Sequence, residues 1–423
     1  MARFAHHARR VRVLKHIQPT REKTLIGKRI WHVRPTISES CFGYLHDYFQ
    51  DIPALPVLHE LTCDHDDFEL AEYLGLFFSL VLRVLSFSRS DSHYSACRVF
   101  DELTKRGCAD ALEVLRLDEA SRPADLWDEP DDLGMAFLAR LPRLRKLTLP
   151  LILKADYRTI LQQMSPGSFP ALRELKILCV RTGAKEPSDG DAALGAITDL
   201  LNYLAPTHPL RVLGLEVPEK LENGATRKGI RALFEAVGAF ANTLDTLSIW
   251  LGIFQRKDEP PLDRSIFAPL TDIPVHELVM ERIAFDIDLP DLEAIRDTWP
   301  ALRYLYLGQR GVGSSYRIPV TALPGFVSGL RNLEKLGLTV YDSGEDLDLK
   351  KTRKRAQWRI RGLDVGYSRF LRGRAAEVAT YLARSFSCAT PTIFDGFPYT
   401  SDIAWQKAVE EEQSRQRRGV RPV

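Results

Sequence analysis

Apolar residues recur along this chain in a short frame, L-x-x-L-x-L, seen most cleanly at Leu144, Leu147 and Leu149. With ten further copies, some degraded, the middle residue of the frame falls at eleven positions: Leu61, Leu85, Leu115, Leu147, Leu175, Leu213, Leu247, Leu278, Leu305, Leu336 and Leu363. The step averages about 30 residues, the range of repeat arrays. The last two apolar residues of the frame sit two apart, so they share one side of a strand while the residues between them face the other. One such strand cannot bury its apolar side alone. Stacked on its own copies it builds a parallel sheet, and the step leaves room for a covering return segment.

The return segments read as helices. Residues 191–204 carry an apolar stripe at Leu194, Ile197, Leu200, Leu201 and Leu204 behind an acidic start. Residues 229–240 give Ile230, Leu233, Phe234, Val237 and Phe240, and residues 289–299 give Leu292, Ile295 and Trp299, with Pro290 in the first turn. Residues 76–82 read as the end of a covering helix running into a strand. The spacing also predicts a helix over 373–386 that caps the last strand, and a short amphipathic helix over 403–413. The predicted class is α/β, a solenoid with a parallel inner sheet and outer helices. Four regions are expected: a capping segment or remnant over 1–50, the array over 51–370, capping helices over 371–413 and a basic tail over 414–423.

This frame resembles that of leucine-rich-repeat proteins, and the chain is similar in particular to the leucine-rich-repeat portion of fungal F-box proteins. The stretches that carry the likeness are 3–14, 56–63, 74–85, 378–386 and 403–409. In that family an F-box precedes the segment matching 3–14, and no Leu-Pro-x-Glu-type opening is visible here. The copies also lack the asparagine that many such repeats place three residues after the frame, holding Ala120, Ile152, Val180 and Arg310 instead. The resemblance implies a non-catalytic substrate receptor of a cullin ubiquitin ligase. A Skp-type adaptor is expected only if the full gene product carries an F-box, and a plain repeat binding module unconnected to ubiquitin is the alternative.

Composition narrows this further. At 423 residues the chain exceeds one globular core, and 45% hydrophobic with 27% charged residues is ordinary for a folded protein. A net charge of +2 makes no field that demands nucleic acid or an anionic membrane. No apolar run approaches a membrane span, and the six cysteines form no C-x-x-C pair, which suggests a reducing compartment, cytoplasmic or nuclear.

Candidate chemistry is sparse. Gly308 to Ser315 imitates a phosphate loop but lacks its lysine, and reads as a turn. Cys63 to Asp67 and the His6-His7 pair offer metal-binding residue types without ligand spacing. No catalytic residue, cofactor or metal site is expected, and an enzyme would have to use rim loops over 181–191 and 218–226. The basic clusters 350–355 and 415–418 read as solvated segments, the first with the density of a nuclear import signal. Function is therefore expected on the sheet's polar face, where the frame points Trp250, Glu277, Glu281, Tyr304 and Tyr306 toward a protein target on a concave surface of a monomer. Exposed aromatics of this kind build binding hot spots.

Overall fold

Each frame copy becomes one strand of a parallel sheet, because strands that bury one side can repeat indefinitely beside their own kind. The computed structural model describes residues 6–17, 39–49, 52–64, 73, 75–88, 96–118, 132–152, 161–162, 164–165, 167–180, 190–205, 208–217, 224–252, 259–280, 283–307, 317–347, 360–365, 368, 374–386 and 390–392. The fold is mixed α/β and divides into two compact units, residues 1–186 with 206–210, and residues 187–205 with 211–423.

The first unit holds β1 (Val13–Ile17), β2 (Glu60–Asp64), β3 (Val84–Ser88), β4 (Val114–Asp118), β5 (Lys146–Ile152) and β6 (Glu174–Val180). Each pairs in parallel with the next, and the frame leucines lie side by side: Leu14, Leu61, Leu85, Leu115, Leu147 and Leu175. Helices Ala96–Lys105 and Asp132–Arg140 form return segments. The first ends on Gly107, whose φ of 66° suits a residue without a Cβ, and the Cys108 amide reaches back to the Leu103 carbonyl at 3.1 Å.

The second unit holds β7 (Val212–Val217), β8 (Thr246–Leu251), β9 (Val275–Met280), β10 (Tyr304–Leu307), β11 (Lys335–Leu338), β12 (Gly362–Asp364) and β13 (Thr390–Thr392), again parallel and in chain order. In β7 and β8, Leu213, Leu215, Val217, Leu247, Ile249 and Leu251 are buried, whereas Glu216 and Trp250 are exposed. Burying one leucine contributes about 1.5–3 kcal/mol, so each copy brings several kcal/mol of transfer free energy that an isolated strand could not. The helices Gly190–Leu204, Arg227–Gly238, Leu289–Thr298 and Ala375–Ser385 occupy the stretches whose periodicity predicts them. Between β8 and β9 the return is a 3-10 helix, Arg264–Leu270, with Pro269 inside it. Its Phe267 stacks on Phe234 and Phe285 and meets Trp299 edge-on, at centroid distances of 6.1, 5.9 and 5.8 Å, and the Trp299 indole N–H donates to the Leu270 carbonyl at 3.3 Å. Three successive return segments are thus joined by one aromatic cluster.

Two ladders bind copy to copy. The carbonyl of the residue preceding a strand accepts two consecutive backbone N–H groups from the next copy, as Arg83 does from Glu113 and Val114, and Arg303 from Glu334 and Lys335. In the second unit, a polar relay links the starts of successive return segments. Asp191 accepts from the Thr226 amide and hydroxyl, Thr226 caps the Arg227–Gly238 helix, Arg227 pairs with Asp263 at 2.7 Å, and Arg264 pairs with Asp291 at 3.6 Å. Asp263 caps the 3-10 helix that follows it, and Asp291 completes a capping box with Asp288, the cap of the Leu289–Thr298 helix, so the relay satisfies amides that helix starts leave open.

Three features go beyond the sequence expectation. Residues 13–17, within the segment read as a cap, form β1 with full pairing to β2, His16 standing opposite Cys63. Residues 390–392, following the capping helix, add β13. The third is the register at β9. The frame aligns Leu278 with Leu247, but the structure pairs Leu278 with Ile249 and Val275 with Leu247, leaving His276 bulged out. Val275 and Leu278 lie three apart and would face opposite sides of a regular strand; the extra residue lets both point into the core, where both are fully buried.

Candidate functional site

Register decides which side chains meet on the polar face of the second unit. One row runs Ser248, Glu277, Tyr304, Lys335, Gly362 and the next runs Trp250, Val279, Tyr306, Gly337, Asp364. If the frame leucines Leu247 and Leu278 were aligned, Trp250 would stand beside Glu281. It stands instead opposite Val279, and its indole N–H donates diagonally to Glu277 Oε2 at 3.4 Å.

Trp250 keeps 36% of its surface exposed, which separates it from Trp299, a core residue at 2%. Val279 between Trp250 and Tyr306 is buried, so the two aromatics flank an apolar floor. Gly337 beside Tyr306 is buried and has no side chain, and a Cβ at Gly362 would lie 3.9 Å from the Tyr306 hydroxyl, so that ring spans the glycine-lined strip. Two cations approach the Tyr304 ring, Lys335 Nζ at 4.8 Å and Arg303 Cζ at 5.6 Å from its centroid. Arg303 is held in turn by Glu334, whose Oε1 accepts from Nη2 at 2.8 Å and from Nε at 3.2 Å, and Arg361 lies 4.0 Å beyond on Oε2. The Glu334 hydrogen bonds raise the Arg303 pKa further above its ordinary value. Trp250, Glu277, Tyr304 and Tyr306 therefore share one face; Glu281 lies outside the described residues.

Lys335 is the site residue missing from the sequence-derived set. Its position one residue before Leu336 is the only signal that places it beside Tyr304, and pairing is needed to see the contact. The other sequence candidates divide. The loops over 308–316, 350–359 and 401–423 lie outside the described residues, as do His65, Asp66 and Asp67. Of the two rim loops, the described ends meet through Thr226 and Asp191, in the capping contact given above. Among the described residues no group of three or more His, Cys, Asp or Glu side chains is placed to hold a metal ion, and no helix is long and apolar enough to cross a membrane. The first unit contains a cavity of ≈ 900 Å³ lined in part by His46, Phe78, Glu102, Lys105 and Arg106; Glu102 pairs with both cations, with Lys105 Nζ at 3.0 Å and Arg106 Nε at 3.6 Å.

Such a face can do one thing well. Aromatics with polar edges, fixed by neighbours before a partner arrives, bury large area at small entropic cost.

No protein-family model and no curated protein matches this chain.

Proposed function

We propose that the chain is a non-catalytic protein-binding module of the leucine-rich-repeat kind, a horseshoe whose inner sheet face takes the partner. The single observation that carries this reading is the exposed Trp250 sharing a face with Tyr304 and Tyr306 over the buried Val279. The tyrosine and tryptophan rings, an acceptor at Glu277 and a donor at Lys335 supply the apolar centre and polar rim of a contact surface. The resemblance to fungal F-box proteins adds a role, presentation of the bound protein to a cullin ubiquitin ligase through a Skp-type adaptor, and points to the cytoplasm or nucleus. The same face serves a plain binding module equally well.

Affinity purification of the chain followed by mass spectrometry, run beside the W250A/Y304A/Y306A variant, tests both levels. Selective loss of partners from a folded variant supports the face assignment, and an unchanged partner set sinks it. Recovery of a Skp-type adaptor with cullin supports the ligase role, while partners without any ligase component leave the binding module alone.

A further inference from the structure

Few charges stand on the polar face of β7–β12. Among the described residues of these strands they are Glu216, Glu277, Lys335 and Asp364. Asp364 is buried, and both it and Glu216 are engaged within the chain. Glu277 and Lys335 are half-buried and form no ion pair with the described residues. Glu277 is oriented by the Trp250 indole N–H on Oε2, at 3.4 Å, and Lys335 by the Tyr304 ring under its Nζ, at 4.8 Å. The neighbouring Arg303 is occupied by its two hydrogen bonds to Glu334.

These two charges share one row. Glu277 pairs in register with Tyr304, and Tyr304 with Lys335, so an acid, a ring and a base follow one another across β9, β10 and β11. With strands about 4.8 Å apart, the row places Glu277 and Lys335 about 10 Å from each other. Ser248 continues it beyond Glu277 and Gly362 beyond Lys335, so small residues flank both ends. A partner complementary to this row presents a cation, an apolar group and a carboxylate over the same span. An extended chain repeats a side at about 6.6 and about 13 Å, and misses it. An α-helix returns to the same side seven residues on, after about 10 Å, with its third and fourth residues between.

We propose that the partner contacts this face with an amphipathic helix lying across the strands, a Lys or Arg at one position meeting Glu277 and a Glu or Asp seven residues away meeting Lys335. Apolar residues three and four along from the first cover the Tyr304 ring, and the Trp250 ring adjoins the helix's cationic end. This rests on the reading of the aromatic face as a protein-contact surface and adds to it the shape and charge order of the partner.

The test is fluorescence anisotropy on the full chain with three labelled, alanine-rich helical peptides of about 20 residues. Each carries leucines at the third and fourth positions after the first charge, and the charges seven apart are Lys/Glu, Lys/Lys or Glu/Glu. The Lys/Glu peptide should bind about threefold or more tighter than either of the others, with the difference shrinking as salt rises from about 50 to 300 mM. K335E should move the preference to Lys/Lys, and E277K should move it to Glu/Glu. If circular dichroism shows a reversed variant unfolded, K335Q or E277Q replaces it and should level the ranking. A proline at the centre of the Lys/Glu peptide should cost about tenfold or more. No binding of any peptide, a ranking indifferent to charge, a ranking that the variants leave unchanged, or full affinity of the proline peptide overturns the proposal. W250A separates the two readings: if it weakens all three peptides while their ranking ignores charge, the contact surface stands and the charged helix falls.

Discussion

Cys108 shows how a single side chain reports on its surroundings. Its thiol is fully buried and donates to the Leu103 carbonyl at 3.5 Å, and burial pushes its pKa from 9.0 up to about 11. The folded chain therefore holds this proton where the unfolded chain releases it. Stability from this source is complete below pH 9.0 and is lost as pH rises toward about 11. Cys108→Ala should lose less stability than the parent across that window, measured as melting temperature against pH. In the parent, alkylation by iodoacetamide at about pH 8 should proceed only as the chain unfolds. Asp263 works in the opposite direction. The Ser265 hydroxyl, then the Arg227 guanidinium, lower its pKa from 3.8, so its contribution is present above pH 3.8 and fades as pH falls below it. Asp263→Ala removes a helix cap and should cost about 1 kcal/mol in chemical denaturation at neutral pH.

At the level of elements, the sequence states the strands and most helices plainly, because each copy repeats the same apolar positions and the register follows from lining up leucines. What escapes it has local physical causes. β1 and β13 carry incomplete frames: His16 occupies an apolar position, and Thr390-Pro391-Thr392 has no leucine at all, so only pairing with a neighbour defines them. The bulge at His276 escapes because counting residues cannot show whether an odd spacing is absorbed before a strand or inside it. Deleting His276 should force Val275 or its neighbours to the wrong face and cost about 2–3 kcal/mol, read as a lower denaturation midpoint. Gly238 is equally constrained: a Cβ there would sit 2.7 Å from the Pro269 carbonyl oxygen, a backbone atom that cannot swing aside. Gly238→Ala should destabilise by about 1–3 kcal/mol despite alanine's better helix propensity.

For the whole molecule, the sequence could name the aromatic face but not its internal arrangement. Trp250, Tyr304 and Tyr306 follow from position relative to the frame; the Trp250–Glu277 hydrogen bond, the Val279 floor and the Lys335–Tyr304 contact follow only from the shifted pairing. Against a partner identified by affinity purification, Trp250→Ala should weaken binding by about 2 kcal/mol or more, and Lys335→Ala by about 0.5–1 kcal/mol. Isothermal titration calorimetry would separate the two. Comparable losses at Glu216, which neighbours Trp250 on β7 at the side away from Tyr306, would relocate the centre of the contact.

The residue at 276 also limits how this scaffold can be rebuilt. Modules upstream and downstream of it are cut to two different phases, offset by two residues when their leucines are counted. An artificial array spliced from both sets leucine on leucine would slide the functional rows past each other by about 7 Å, leaving a stable stack whose recognition surface no longer lines up.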